Sequence, residues 1–385
     1  MNSCRVLIVT RRFWPLVGGP ENVLASLARE LSARGWPTLV LTAHWQPKWP
    51  EEISLYGVPV IRLPAAAEGG WENLRSLRRL VGWLRNNRHR YDLVYVSQLK
   101  REAYAAMRAV GRQTPVVLRA ERPGPGGDCQ WQREVFCGSR VAAQCRRAAA
   151  VIAPSREIAR ELLAAGYSPS IVRHVPNGVA EVPPPSVGTR LAARALLAEA
   201  NQELQLPDAA PLTVYLGRLE PNCGLERLVE AWQVILRHRP NARLWLIGQG
   251  SLRGALSRQI EILNLGGRVV LVGVFDQVDA LLAAADVFVR PTSKAGSGVA
   301  LLEAFAAGLP VVASQIPGHR AWIDDGQDGL LAAADAASWA TAIGRLLAEP
   351  EFAARLGQSA RRKAADYSLA NMVATHLTLF QELRS

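Results

Sequence analysis

Long apolar runs are missing from this chain of 385 residues. No uninterrupted apolar stretch approaches the roughly 18 to 20 residues that cross a bilayer. The first apolar run, Val6 to Val9, is followed almost at once by Arg11 and Arg12, which does not fit the core of a signal peptide. We therefore expect neither a membrane-spanning helix nor secretion.

Cysteine is scarce and unpatterned. The chain has five cysteines, an odd number, and none lies in a C-x-x-C pair. A disulfide framework uses an even set, and structural zinc sites usually hold cysteines in such close pairs. The sequence predicts reduced thiols in the cytoplasm and no metal site.

Acidic residues are outnumbered, with 33 Asp and Glu against 45 Lys and Arg and a formal net charge of +12. Such a surface attracts anions, whether nucleic acid, an acidic membrane or a phosphorylated substrate. The sequence has no RNA-binding aromatic signature, no zinc-finger spacing and no basic region followed by heptads. We expect no nucleic-acid partner.

Short runs rich in Val, Ile and Leu alternate with helix-period segments along the whole chain. This alternation is typical of parallel sheets covered by helices on both faces, so the predicted fold class is α/β. The expected strands are Val6 to Val9, Leu39 to Leu41, Val94 to Val96, Val116 to Leu118, Val151 to Ala153, Thr213 to Leu216, Leu244 to Ile247, Val269 to Val272, Val287 to Val289 and Val311 to Ala313.

The length suits two domains, and consecutive prolines at 183–185 mark a boundary, because they continue neither a helix nor a central strand. We predict an N-terminal Rossmann-like domain at 1–180, a linker at 181–211 and a C-terminal Rossmann-like domain at 212–366. Residues 367–385 carry apolar residues at helical spacing, so we expect a final helix that packs back on the first domain. Two doubly wound domains would face each other across a ligand-binding cleft.

A glycine pair follows the first predicted strand, in the run Gly18-Gly19-Pro20-Glu21. Paired glycines let backbone N–H groups approach a ligand phosphate at a helix N-terminus, and proline suits the first helical position. A tight strand-to-helix turn explains the same residues equally well. The motif alone does not decide between the two interpretations.

The most informative stretch is residues 291–313. It predicts a strand end, a loop with Gly296 and Gly298, a short helix and then the next strand. The N–H groups of Val299 and Ala300 would face an anion at the start of that helix.

Two charged residues stand out in the second half of the chain. Arg218 follows the strand Thr213 to Leu216 and is placed to bind a diphosphate through its planar fork of donors. Glu303 stands in an otherwise apolar helix. It is either solvated on an outer face or accepts hydrogen bonds from ligand hydroxyls, because burial without such partners would be costly.

Further short motifs follow one another along nearly the whole chain. They are Val151-Ile-Ala-Pro-Ser155, Val175-Pro-Asn-Gly-Val179, Gly217-Arg-Leu219, Leu246-Ile-Gly-Gln-Gly250, Ala285-Asp-Val-Phe-Val289 and Glu303-Ala-Phe-Ala-Ala-Gly-Leu-Pro-Val-Val312. Together with the glycine-rich start, this set resembles the family 4 (group 1) glycosyltransferases, which are retaining enzymes of GT-B fold that use nucleotide-activated sugars.

The resemblance implies a nucleotide-diphosphate sugar as donor and a glycan or lipid-linked acceptor, with no cofactor and no metal. It implies catalytic roles for Arg218, Glu303 and Glu121. The implied donor-binding residues are Gly18, Gly19, Arg218, Cys223, Gly248, Val274, Phe275, Ala295, Gly296, Gly298, Val299, Ala300, Leu301 and Glu303. We assign Arg11, Trp45, Trp49 and Glu121 to the acceptor side, although such tryptophans more often simply pack.

Three positions depart from the family pattern. Cys223 stands where the family has a lysine that accompanies the arginine on the diphosphate. Ala295 replaces the first of two glutamates, the one that contacts the donor sugar, and Glu121 or a near neighbour falls where a histidine is common. Two hypotheses follow: an active transferase for surface polysaccharide or glycolipid synthesis, or a catalytically silent protein that binds a sugar nucleotide or a partner enzyme.

A predicted helix between residues 74 and 90 is both amphipathic and basic. Its apolar residues are interleaved with Arg75, Arg78, Arg79 and Arg85. Such a helix suits an anionic membrane surface, which would make the protein peripheral on the inner face of the cell membrane. A helix packed on the first sheet with a solvated arginine face explains the pattern equally well.

Overall fold

The computed structural model divides the chain into two compact units. Unit 1 comprises Met1–Gly178 and Leu369–Ser385, and unit 2 comprises Val179–Ser368. No helix of the described residues is long and apolar enough to cross a membrane. The structure describes residues 4–16, 18–64, 70–111, 113–183, 186–207, 209–275, 278–293 and 298–384, without the side chains of 70–73.

The described residues of unit 1 form a sheet of eight strands. They are β1 (Val6–Val9), β2 (Thr38–His44), β3 (Glu52–Leu55), β4 (Val58–Pro64), β5 (Leu93–Ser97), β6 (Val116–Arg119), β7 (Ala150–Ala153) and β8 (Val172–His174). Their order across the sheet is β3-β4-β2-β1-β5-β6-β7-β8. Only β3 and β4 pair antiparallel. The five strands predicted in this half are confirmed, whereas β3, β4 and β8 were not predicted.

Helices cover the sheet of unit 1, and α1 illustrates why they form. Its residues Val23, Leu24, Leu27, Ala28 and Leu31 are buried, and this i, i+3, i+4 spacing places one apolar stripe on the sheet. The helices before unit 2 are α1 (Gly19–Ala33), α2 (Gly70–Asn86), α3 (Arg101–Ala109), α4 (Asp128–Glu134), α5 (Gly138–Cys145) and α6 (Arg156–Ala164).

In the part of unit 2 that the structure describes, the sheet has six strands, and the neighbouring pairs are parallel. They are β9 (Leu212–Leu216), β10 (Arg243–Ile247), β11 (Val269–Gly273), β12 (Val287–Arg290), β13 (Val311–Ser314) and β14 (Leu330–Ala332). Their order is β11-β10-β9-β12-β13-β14. The five strands predicted here are confirmed, and β14 was not predicted.

Unit 2 has an apolar core on each face of its sheet, one around Trp232 and the other around Phe288 and Phe305. This is the arrangement expected when helices cover both faces of a parallel sheet. The helices are α7 (Val187–Ala200), α8 (Leu225–His238), α9 (Arg253–Ile262), α10 (Val278–Ala284), α11 (Val299–Ala306), α12 (Pro317–Arg320), α13 (Ala336–Ala348) and α14 (Pro350–Ala365).

The segment predicted as a linker, residues 181–211, belongs to unit 2. It contains α7, which packs on α10 and buries Leu197 completely. Arg194 of α7 also donates to Asp286 at 2.8 Å, just before β12. The prolines at 183–185 therefore precede a packed helix of unit 2, where a linker was predicted.

The helix α15 (Leu369–Glu382) belongs to unit 1 and packs on α1. Its buried His376 lies beside the Tyr95 side chain of β5, whose hydroxyl donates to Nε2 at 3.2 Å. The opposite ring nitrogen, Nδ1, donates to the Met372 carbonyl at 2.8 Å. Burial lowers the pKa of His376 to about 4, so the ring is neutral.

Candidate functional site

The carboxyl ends of β9 and β12 flank the topological switch point of the unit 2 sheet. From β9 the chain winds outward through β10 and β11, and then crosses back to continue from β12 on the other side. Open α/β sheets bind ligands in the crevice at such a point. The structure therefore brings the segment that carries Arg218 and the carboxyl end of β12 to one edge of the sheet.

The guanidinium of Arg218 is accessible, with 66% of its side chain exposed. Its Nη2 donates to Glu220 at 3.0 Å. Glu220 also accepts from Ser251 Oγ at 2.7 Å, and this bond is the main reason why the pKa of Glu220 is lowered. One ion pair with a described residue thus orients Arg218, whose exposed guanidinium can still donate to an anion.

Close backbone contacts fix the loop after β9. Gly248, which follows β10, lies directly against the backbone of Gly217, where a Cβ would clash with the carbonyl oxygen. Gly224 has a φ of +66° and lies against the Pro291 carbonyl in the same way. Glycine is needed at both positions for packing, and the donor contact assigned to Gly248 stays a prediction.

Cys223 ends a short 3-10 turn at Pro221–Cys223. Burial is the main cause that raises the pKa of Tyr215, and the nearby Cys223 side chain adds to it. The Asn222 carbonyl accepts from the Ser293 amide at 3.0 Å. The turn therefore joins the loop after β9 to the loop after β12, and Cys223 places no fixed positive charge there.

The helix α11 begins at the switch point with Gly298 as its N-cap, at a φ of +72°. The side chains of Val299 and Leu301 are buried in the core, so only their backbone can meet a ligand. The amides at this helix start are suited to an anion. Glu303 is half-buried one turn further along. Ala295 and Gly296 lie outside the described residues, and their assigned donor contacts stay predictions.

The segment assigned to base binding follows β11. Gly273 has a φ of +84°, which turns the chain at the strand end. Val274 is exposed, whereas Phe275 packs against the core near Phe288. The assignment of Val274 and Phe275 to the nucleotide base stays a prediction.

Arg290, the last residue of β12, was missed in the sequence. Its Nη1 donates to the Leu216 carbonyl at 3.0 Å, and its guanidinium lies 5.9 Å from the centre of the Tyr215 ring. The feature of the sequence that could have identified Arg290 was a charged residue directly after the apolar run Val287 to Val289.

In unit 1, a carboxylate lies against the Gly18-Gly19 turn. A Cβ on Gly18 would clash with the Glu21 carboxylate, which also accepts from Arg12 Nε at 3.0 Å. Burial, with a contribution from Glu121, raises the pKa of Glu21. The predicted phosphate contact of Gly18 and Gly19 would therefore have to share this turn with Glu21, a residue that we had not assigned to the site.

Glu121 lies just beyond the end of β6, and only 12% of its side chain is exposed. Its carboxylate accepts from Ser97 Oγ and, at 3.0 Å, from Gln98 Nε2. The buried Arg119 lies 3.6 Å away. These contacts hold one carboxylate in a fixed orientation at the carboxyl edge of the unit 1 sheet.

The acceptor-side tryptophans pack against arginines. Trp45 Nε1 donates to the Arg11 carbonyl at 2.9 Å, and the Arg11 guanidinium lies 5.0 Å from the centre of the Trp45 ring. The buried Arg62 lies 5.6 Å from the centre of the Trp49 ring. Both rings thus have a packing role, and acceptor contacts by Arg11, Trp45 and Trp49 stay predictions.

Two family models match most of the chain. The model described as Glycosyltransferase Family 4 matches residues 17–181, and the model described as Glycosyl transferases group 1 matches residues 210–349. The first corresponds to unit 1, and the second lies within unit 2.

Three relatives illustrate the range of similarity. A lipopolysaccharide core biosynthesis glycosyltransferase of Rhizobium meliloti is 34% identical over 40% of this chain, which covers 45% of that relative and thus less than half of its length. A D-inositol 3-phosphate glycosyltransferase of Geodermatophilus obscurus is 30% identical over 87% of this chain and 72% of its own. A GDP-mannose-dependent phosphatidylinositol monomannoside mannosyltransferase of Mycolicibacterium smegmatis is 27% identical over 94% of both chains.

Two solved structures share the fold. Sucrose-phosphate synthase from Thermosynechococcus elongatus has a TM-score of 0.80 at 23% identity, with 99% of both chains covered. HepE of Anabaena, solved with UDP and glucose, has a TM-score of 0.77 at 20% identity, with 98% of this chain and 100% of that chain covered. At these identities the comparison establishes the GT-B fold.

Proposed function

Since this chain belongs to the group 1 (family 4) glycosyltransferases, we propose that it moves a sugar, with retention of configuration, from a nucleotide-diphosphate sugar to a glycan or lipid-linked acceptor. The pathway is surface polysaccharide or glycolipid synthesis, carried out in the cytoplasm. Relatives named for lipopolysaccharide core, inositol phosphate and phosphatidylinositol mannoside substrates support this choice.

One observation carries the proposal: Arg218 follows β9, α11 follows β12, and these two strands are neighbours at the switch point of the unit 2 sheet. An exposed guanidinium and a helix N-terminus are the two features that bind a diphosphate. Glu303, half-buried on α11, then accepts hydrogen bonds from the ribose hydroxyls.

In the proposed reaction the acceptor hydroxyl attacks the anomeric carbon on the face from which the diphosphate leaves. The new bond forms between the acceptor oxygen and that carbon while the bond to the phosphate oxygen breaks. The acceptor proton passes to the departing phosphate. Negative charge grows on the diphosphate, so Arg218 and the α11 amides stabilise the transition state without a metal ion.

Unit 1 supplies the sugar or acceptor contact in this proposal. Glu121 is held in place by Ser97 and Gln98. A fixed, half-buried carboxylate accepts hydrogen bonds from sugar hydroxyls and orients them.

The experiment is sugar transfer and donor hydrolysis across a panel of UDP-, GDP- and ADP-sugars, each with and without EDTA. We expect one donor to turn over at an EDTA-insensitive rate and to give a product of unchanged anomeric configuration. Binding of a donor without turnover would instead favour a catalytically silent sugar-nucleotide-binding protein, which the thiol at Cys223 motivates. A chain that binds no donor contradicts both functions.

We further propose that an anionic membrane surface is a partner of unit 1. The arginines of α2, namely Arg75, Arg78, Arg79 and Arg85, are all exposed, while Leu80 and Leu84 are buried. The basic face is therefore available to lipid phosphates, and a lipid-linked acceptor would be found at the same surface.

A further inference from the structure

We propose that Arg290 is a second binding residue for the donor diphosphate, on the neighbouring strand to Arg218. This inference rests on the proposed function, since it requires that unit 2 bind a nucleoside diphosphate. It adds a cation from β12 to a site otherwise supplied by the loop after β9.

The position of Arg290 at the end of β12 supports this assignment. Arg290 ends β12, whose Phe288 pairs with Val214 of β9, so the two strand ends lie side by side at the switch point. A Cβ on Gly217 would stand 2.7 Å from Arg290 Nη1. The Arg290 guanidinium therefore covers the α-carbon of the residue directly before Arg218.

The contacts that hold the Arg290 side chain in place support it as well. One of its donors, Nη1, binds the Leu216 carbonyl, and the buried Tyr215 ring lies beside the guanidinium. The Tyr215 hydroxyl in turn donates to the Arg218 carbonyl at 2.7 Å. The same tyrosine thus positions both arginines. Among the described residues, the Leu216 carbonyl is the one acceptor of the Arg290 guanidinium, so its remaining N–H groups can bind another acceptor.

The lack of a negative charge beside the Arg290 guanidinium, among the described residues, also supports the assignment. Within the part of the chain that the structure describes, no carboxylate lies within ion-pair distance of Arg290. Two other inward-facing arginines of unit 2 have fuller sets of partners: Arg194 pairs with Asp286, and Arg361 donates to three backbone carbonyls. A half-buried guanidinium with one carbonyl partner is poorly compensated. A diphosphate supplies the missing negative charge.

Cys223 supports the same assignment. A thiol carries no fixed positive charge, so the loop after β9 adds no second fixed cation beside Arg218. Arg290 reaches this corner from the adjacent strand. The diphosphate would then lie between Arg218 and Arg290, with the start of α11 beside it.

The test is equilibrium binding of UDP, GDP and ADP, each compared with its nucleoside, to the full chain and to Arg290→Gln. We expect the bound diphosphate to weaken by about tenfold to a hundredfold, as for a lost charge-assisted hydrogen bond, while the nucleoside is unaffected. The loss should shrink as salt rises. Arg194→Gln is the matched control, because it removes a half-buried arginine next to the opposite end of β12 and should leave diphosphate affinity unchanged.

The outcomes separate this inference from the proposed function. Failure of the parent chain to bind any of the three diphosphates overturns the function itself. Parental diphosphate affinity in Arg290→Gln overturns only the Arg290 assignment, and so does an equal loss for nucleoside and diphosphate, which would indicate a structural role. If the glutamine variant does not fold, Arg290→Lys provides the same comparison. Retained diphosphate binding with a steeper salt dependence supports the contact. Equal losses of affinity for nucleoside and diphosphate contradict it.

Discussion

Single side chains set the charge at the carboxyl edge of the unit 2 sheet. Cys223 stands where the family has a lysine, while Arg218 is exposed and Arg290 half-buried. A phosphate-binding site depends on how many of these positions are cationic, because each charge-assisted hydrogen bond is about twice as strong as a neutral one.

Restoring the lysine gives the first prediction. Cys223→Lys adds a cation beside Arg218, so we expect any nucleoside diphosphate to bind about tenfold more tightly, whether or not it carries a sugar. Titration calorimetry at low and high salt measures this, and the gain should fall at high salt. Cys137→Lys is the matched control, a half-exposed cysteine of unit 1. Equal effects of both substitutions would attribute the gain to net charge alone.

Glu303 gives the second prediction. Glu303→Ala should weaken a nucleotide sugar by roughly 1.5 to 3 kcal/mol, because a hydrogen bond from the ribose to a charged acceptor is lost. Thermal unfolding without ligand reports whether the fold is intact. Glu261→Ala, on the exposed face of α9, should change neither quantity. Unchanged donor affinity in the Glu303 variant would remove this residue from the site.

At this scale local patterns in the sequence predicted Arg218, which lies just after β9, and Gly298, which begins α11. It could not predict contacts between distant parts of the chain. Arg290 meets Gly217 only because β12 pairs with β9, and Glu121 contributes to the raised pKa of Glu21 only because β1 and β6 both flank β5. Neighbouring strands are far apart in sequence, so neither contact has a local signal.

Among the elements, α2 combines a packed face with a charged one, since Leu80 and Leu84 are buried and the arginines are exposed. Both interpretations of the sequence pattern are therefore compatible with the packing. Only a measurement with lipid separates them.

The third prediction is that replacing Arg75, Arg78 and Arg79 by glutamine weakens binding to phosphatidylserine-containing vesicles by about 1 kcal/mol per residue. Vesicle co-sedimentation measures this. The control replaces Arg227, Arg237 and Arg239, three exposed arginines at or next to α8 of unit 2, and removes the same net charge. If both triples have the same effect, or if the parent chain does not bind vesicles, α2 is simply a packed helix with a solvated face.

The elements that the sequence did not predict are short or interrupted. β14 has only three residues. Pro59 lies within β4, and a proline argues against a strand unless its missing N–H is tolerated, as it is opposite Ser54 of the short edge strand β3. The helix α7 was hidden behind the prolines, although Ser186 and Thr189 form a capping box that was present in the sequence.

At the scale of the whole molecule, each unit buries one histidine with a lowered pKa. Burial lowers the pKa of His376 in unit 1 and of His319 in unit 2 to about 4 in each case. Their usual value is 6.5. Between pH 6.5 and pH 4 the two histidines bind protons in the unfolded chain but not in the folded chain. The free energy of unfolding therefore falls as the pH is lowered from 6.5 towards 4.

The fourth prediction follows from this sign. Each histidine should cost roughly 2 kcal/mol of unfolding free energy between pH 7.5 and pH 5. His376→Gln and His319→Gln should each be less stable at pH 7.5 but lose less stability on acidification. Urea unfolding at the two pH values measures both effects, and His238→Gln, on an exposed side chain, is the control. A parental pH slope in either variant would show that the ring is already solvated in the folded state.

The return of the chain to unit 1 through α15 has a consequence for synthesis on the ribosome. Unit 2, Val179–Ser368, is made between the two parts of unit 1. At about 5 to 20 residues per second, those roughly 190 residues take about 10 to 40 s to translate. Throughout that time the apolar surface around Trp36 and Tyr95, which Phe380 later covers, is exposed in the nascent chain. The synthesis of unit 1 begins first but ends last, so a chaperone that binds nascent apolar surface would bind unit 1 at the surface around Trp36 and Tyr95.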